Sequence, residues 1–141
     1  MDIQSIMTPN PKACPRTASL SQIAQLMRDE DIGEVPIVES DGQRRLVGVV
    51  TDRDIVVRAI AAGENPEQLT ADDCMTSPPV SLGEDASLEE CARMMASHRI
   101  RRMPIVDDSG NLYGIVAQAD LQATDARSLK EEVANRVSTP H

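Results

Sequence analysis

Gly48-Val49-Val50-Thr51-Asp52-Arg53-Asp54 is an apolar run that ends at a threonine and turns acidic, and it returns in weaker form as Gly114-Ile115-Val116-Ala117-Gln118-Ala119-Asp120. β-Branched residues followed by Thr, with a carboxylate three positions on, read as a strand running straight into a capped helix. The residues around each run repeat as well. Met7-Thr8 recurs 68 positions later as Met75-Thr76, Ala18-Ser19-Leu20 as Ala86-Ser87-Leu88, Met27 as Met95, Pro36-Ile37-Val38 as Pro104-Ile105-Val106 and Gly42 as Gly110. Gly48 and Asp54 recur after 66 as Gly114 and Asp120; the slip of two falls between GQRRLVG and GNLYG, where a hairpin loop tolerates a change of length. So many matches in register establish an internal duplication.

Each copy has the same layout. A short extended piece (12–15; 79–81) leads into a helix, on which Leu20, Ile23, Ala24 and Met27, or Leu88, Cys91, Ala92 and Met95, form one apolar stripe. Ser19 and Ser87 stand in N-cap positions. Strands are expected at 35–39 and 103–107, then turns rich in Asp, Ser and Gly, then strands at 46–51 and 112–117. A second helix closes each unit, 52–62 ended by Gly63, and 118–123. The expected division is a first repeat at 1–63, a linker with a turn of helix at 64–73, a second repeat at 74–124, and an end helix and tail at 125–141. In that tail Leu129, Val133 and Val137 recur every four residues before the chain frays into Ser-Thr-Pro-His. The fold class is mixed α/β (α+β), two β-α-β-β-α units. Each unit is too small to be comfortable alone. Packing the two about a pseudo-twofold axis buries both, and leaves a groove lined by equivalent groups from each.

Composition excludes several classes. The chain has 141 residues, 40% of them hydrophobic and 26% charged, with a net charge of −9. Such an acidic surface repels phosphate backbones, and one Tyr with no Phe or Trp leaves nothing for bases to stack on, so nucleic acid is not an expected partner. No apolar run approaches the roughly 20 residues of a membrane span, and MDIQSIMTPNP does not read as a secretory signal. Cys14, Cys74 and Cys91 are an odd count without CxxC spacing, which argues for a reducing cytoplasm over a disulfide framework.

Thr51 and Asp54 admit two readings. In one they form a capping box, the carboxylate answering the positive end of the helix. In the other, a carboxylate at that position accepts both hydroxyls of a ribose, while free amides and Arg53 face a phosphate. His98-Arg99-Ile100-Arg101-Arg102 is the densest basic stretch of the chain. It reads as a solvated face, or as an anion seat, since guanidinium forks pair phosphate oxygens two at a time.

The chain resembles a tandem pair of CBS domains (a Bateman module) over about residues 1–124. The likeness is carried by Ile6-Met7-Thr8-Pro9, by Val35-Pro36-Ile37-Val38, and by Gly48 through Asp54, similar to the family's Gly-h-h-(Ser/Thr)-x-x-Asp. It is especially like the small stand-alone bacterial pairs. The resemblance implies a disc-like homodimer of pairs that binds adenosine compounds (AMP, ADP or ATP, sometimes S-adenosylmethionine) between its repeats. It implies a stronger site of Thr51, Arg53 and Asp54 completed by Ile100, Arg101, Arg102 and Met103, with Ser77 and Pro79 walling the adenine. It implies a weaker site around Asp120 with Thr8, Pro9, Pro11, Ile32, Gly33 and Glu34. There Ala117 replaces the expected hydroxyl, Ala119 stands where Arg53 does, and acidic Glu34 takes the place of Arg102. A carboxylate a few Å from a phosphate costs on the order of 1–4 kcal/mol at surface-like dielectric. The weaker site is therefore expected to be empty or to take a ligand of little negative charge.

The expected function is a non-catalytic sensor that passes its binding state to a separate partner protein, no effector domain of its own being expected. Its main rival is a ligand-free dimeric scaffold, in which an adaptable Met surface or the tail helix docks a partner. A more distant one is an S-adenosylmethionine- or metal-binding stress protein. No catalytic residue is expected, because His98 and His141 have no nucleophile motif beside them and no phosphate-binding glycine loop is present. No metal is expected either, since no ligand pair has zinc spacing.

Overall fold

The computed structural model describes residues 2–124. Two sheets carry the chain. The first consists of β2 (Cys14–Pro15), β3 (Glu34–Ser40) and β4 (Gln43–Thr51), after an edge piece β1 (Thr8–Pro9) that belongs elsewhere. The second consists of β1 together with β5 (Leu82–Gly83), β6 (Arg102–Val106) and β7 (Leu112–Ala117), in the order β1-β7-β6-β5. Helix α1 (Leu20–Glu30) packs on the first sheet and α4 (Leu88–His98) on the second; α2 (Asp52–Asp54) and α3 (Ala71–Cys74) are short. The mixed α+β architecture of two duplicated units is the one the repeats predict.

Local chemistry explains the element ends. The Ser19 hydroxyl accepts from the Gln22 amide while the Gln22 side chain accepts from the Ser19 amide, and Ser87 accepts from the Glu90 amide. Both long helices end in a left-handed residue, Asp31 (φ 54°) and Arg99 (φ 56°). Two expected boundaries move. The extended piece placed at 79–81 lies at Leu82–Gly83, where Leu82 pairs with Ile105 as Cys14 pairs with Ile37; the parallel partner, not the sequence after Pro79, sets that register. The helix expected over 52–62 is α-helical only at α2 and continues as π-helical turns over Ile55–Ile60. Ile55 and Ala59 enter the core, Val56, Val57 and Ile60 stay exposed, and Gly63 (φ 78°) ends the segment as expected. Residues 118–124 are helical; the end helix expected beyond them lies outside the described residues.

The repeats are interlocked at their starts. β1 runs antiparallel on β7, with Thr8 opposite Ile115 and Pro9 opposite Gly114. Its counterpart is Thr76, which exchanges both backbone hydrogen bonds with Val49 at 2.8 and 3.1 Å. Each copy's leading segment thus covers an edge of the other copy's sheet. The cores follow suit: Ile3 is fully buried with Met103, Ile105 and Val116, while Ala71 and Cys74 are buried with Leu20, Ile37 and Val50. At the crossing the Met75 thioether lies on Gly48 and the Met7 thioether on Gly114. A Cβ on Gly48 would stand 2.5 Å from the Met75 sulfur and 3.0 Å from the Thr76 carbonyl oxygen, so a side chain there would force the crossing segment to shift.

Gly48→Ala is therefore expected to overpack the crossing and destabilise the fold by about 1–3 kcal/mol in urea denaturation. Gly42→Ala, which meets nothing within 4 Å, serves as the control and should be nearly neutral.

Candidate functional site: the cleft between the repeats

The left-handed helix ends aim two equivalent loops at each other. After α1 the Ile32 amide bonds back to the Met27 carbonyl at 3.0 Å, and after α4 the Ile100 amide bonds to Met95 at 3.1 Å. Each loop is then tied to the end of its own repeat's second strand. The Asp52 amide donates to the Gly33 carbonyl at 2.9 Å, and the Gln118 amide to the Arg101 carbonyl at 2.7 Å. The loops have the same backbone path and opposite charge: Asp31-Ile32-Gly33-Glu34 in one copy, Arg99-Ile100-Arg101-Arg102 in the other. Together with Thr51, Asp52, Arg53, Ala117, Gln118, Ala119 and Gln122 they line one cleft of about 760 Å³.

The cleft unites residues expected at two sites. Thr51, Arg53, Ile100, Arg101 and Arg102 line it, and so do Ile32 and Gly33. Asp54 stands just behind. Its Oδ2 accepts from the Thr51 amide at 2.9 Å, and its own amide donates to the Thr51 hydroxyl at 3.0 Å. The capping box is thus real. Oδ1 makes no hydrogen bond among the described residues and has Arg58 Nε at 3.7 Å.

Other expected residues lie elsewhere. Met103 is fully buried in the second core. Ser77 donates to the Val47 carbonyl at 2.9 Å; neither it nor Pro79 lines the cleft. Thr8 and Pro9 are consumed by pairing with β7, Pro9 also bordering a separate depression with Arg44, Arg45 and Tyr113, and buried Pro11 lines another beside Cys14. Asp120 is half-buried and does not line the cleft. Asp31, Asp52 and Gln118 also line the cleft without having been expected there, and so does Arg99, which the sequence offers only as part of the basic stretch. The 68-residue offset pairs Asp31 with Arg99 and was the available signal.

Glu34 stands out electrostatically. It is 8% exposed, and its Oε2 is buried without a hydrogen-bond partner among the described residues. Burial pushes its carboxyl up to about 7; Arg102 opposes that rise and Asp54 adds to it. The repulsion of phosphate expected from its charge therefore applies only to its ionised form. All three cysteines are free thiols, and burial raises the pKa of each. Among the described residues no group of three or more His, Cys, Asp or Glu could hold a metal ion, and no helix is long and apolar enough to cross a membrane.

Two interlocked α+β repeats meeting at a polar cleft define a duplicated α+β module. The chain belongs to the CBS-domain family: the model of that family, described as "CBS domain", matches residues 3–60 and 71–124. It is 40% identical over 123 residues to the uncharacterized protein YlbB of Bacillus subtilis, spanning 87% of this chain and 81% of that one. The crystal structure of Hypoxic Response Protein I, which has two coordinated zinc ions, superposes with a TM-score of 0.79 at 34% identity, covering 87% of this chain and 98% of that one. The crystal structure of CBSX2 in complex with AMP superposes with a TM-score of 0.75 at 25% identity, covering 92% and 98%.

The sign of the Glu34 effect is testable. The folded carboxyl titrates near 7 and the unfolded one near 4.5, so the folded state holds the extra proton in between. This contribution to stability is undiminished at low pH and is lost as pH rises from about 4.5 through 7. Glu34→Gln is expected to remove the loss, gaining on wild type from pH 5 to pH 8 by an amount on the order of 3 kcal/mol in paired urea titrations.

Proposed function

We propose that the chain is a non-catalytic regulatory module that binds an adenosine nucleotide (AMP, ADP or ATP) between its repeats and passes the binding state to a separate protein. The observation that carries this reading is the meeting, in one cleft, of the Thr51–Arg53 helix start from one copy with Arg101 and Arg102 from the other. A phosphate beside the arginines gains bidentate, charge-assisted hydrogen bonds. Ile32 and Ile100 offer apolar walls to a purine, and we assign a ribose hydroxyl to Asp54 Oδ1, which would have to reach it from behind Thr51 and in competition with Arg58. Ser77, Pro79 and Met103 take no part in this version. The Asp120 half, lacking a hydroxyl and a cation at Ala117 and Ala119, contributes wall rather than a second equal seat. AMP in CBSX2 supports the ligand class. We place the protein in a reducing, cytoplasmic setting on its three free thiols.

A ligand bridging both repeats stabilises one arrangement of them, by no more than its differential affinity for the arrangements available. The route outward is an apolar face. Val56, Val57 and Ile60 are 55, 49 and 58% exposed on consecutive π-helical turns, and we assign that face to a homodimer of pairs. The same face favours the scaffold as second reading, since a dimer needs no nucleotide.

Two measurements separate them. Saturating AMP, ADP or ATP should raise the melting temperature, 100 times the Kd being equivalent to about 2.7 kcal/mol. Arg101→Ala with Arg102→Ala should weaken AMP by at least tenfold, from the roughly 1.5–3 kcal/mol of a hydrogen bond to a charged group, and leave adenosine unchanged. Equal AMP affinity in wild type and double variant refutes the arginine seat and leaves those arginines a solvated face, whereas no response to AMP, ADP or ATP refutes the nucleotide reading. Ile60→Glu should shift the protein from dimer to monomer in sedimentation velocity.

A further inference from the structure

Among the described residues, Glu34 is the polar side chain that the fold buries and leaves unsatisfied. It opens β3 opposite Thr51, lines the cleft, and keeps Oε2 out of water with no hydrogen-bond partner among the described residues. A carboxylate oxygen in that condition costs free energy unless a donor meets it or a proton neutralises it. The cation acting on it is Arg102, which opens β6 at the equivalent place in the other copy; Asp54, on α2, acts in the opposite sense. The remaining charged groups on the walls are Asp31, Asp52, Arg53, Arg99 and Arg101.

We propose that Glu34 is the specificity-determining group of the cleft: an anionic ligand seated on Arg101 and Arg102 draws one proton from solvent onto the Glu34 carboxyl, which then donates its O–H to a ligand oxygen. The proposal rests on the nucleotide reading above. In the empty cleft Arg102 is the positive neighbour that favours the ionised carboxyl. A phosphate engaging Arg102 cancels that support and adds a negative charge close by, and both effects favour the neutral acid. The carboxyl is already poised for the change, since burial has brought its titration to about 7. Anionic ligands are thereby bound more tightly as pH falls through neutrality, whereas an uncharged nucleoside gains nothing. The acidic loop becomes a selective donor in place of a repulsive wall.

Calorimetry of AMP and adenosine at pH 7.5, above the phosphate's own second ionisation near about 6, tests this by counting protons in buffers of differing ionisation enthalpy. Wild type should take up a measurable fraction of a proton per AMP and none with adenosine. Glu34→Gln should take up none with either. Across pH 6.5 to 8.5 the wild-type affinity for AMP, relative to Glu34→Gln, should fall by up to about tenfold for each unit by which occupancy raises the carboxyl. The carboxyl carbon resonance of Glu34, followed in wild type with and without AMP, reports the same proton without any variant. AMP binding with no proton uptake and an unmoved Glu34 resonance overturns the proposal and spares the nucleotide reading. Equal uptake with adenosine, or in Glu34→Gln, overturns it too. No binding of AMP, ADP or ATP at any pH overturns both.

Discussion

The structure depends on a reciprocal crossing of backbone and side chain. Each repeat begins with a Met-Thr segment that leaves its own unit, pairs with the second long strand of the other, and lays a thioether on a glycine there. At that side each sheet edge is paired in part, by Thr8–Pro9 on β7 and by Thr76 on β4. A unit of this size buries too little apolar surface to be secure alone, and the exchange makes each core depend on residues from both copies, Ile3 in one and Cys74 in the other. The cleft lies between the halves that this contact joins.

Duplication gave the cleft two copies of one loop, and divergence gave the copies opposite charge. Identical capping and identical ties to the following helix hold both loops in place. An acidic loop and a basic loop then share one space of about 760 Å³. The charge of such a cleft is uneven, with Asp31 and Glu34 on one loop and Arg99, Arg101 and Arg102 on the other. The other wall holds a carboxyl whose burial has moved it into the neutral range, so charge is stored in the cleft as a balance rather than as a fixed deficit. CBS pairs that bind different ligands can share this frame, because the frame specifies backbone positions and leaves side-chain charge free to vary.

Much of this was legible before any coordinates. The 68-residue repeat disclosed the duplicated α+β fold, and the serine caps, apolar stripes and paired strands follow from spacing that helices and sheets impose locally. The convergence of Thr51 and Arg53 with Arg101 and Arg102 was also foreseeable, through the family likeness. Ser77 and Pro79 lie outside the cleft, because the Ser77 hydrogen bond to Val47 and the crossing of the two repeats' segments decide where that stretch runs. The resemblance implies a stronger and a weaker site, and in the structure residues expected at each line one common cleft.

Sequence alone determined the long helices and strands, their caps and their order, since those depend on residues within one helical turn or one strand pair of each other. Tertiary structure alone decided which copy's core Ile3 and Cys74 enter, which backbone lies against Gly48 and Gly114, and how far Glu34 is from water. Those outcomes depend on contacts between residues far apart in the chain, and a buried carboxyl has a chemistry that its identity in the sequence does not reveal.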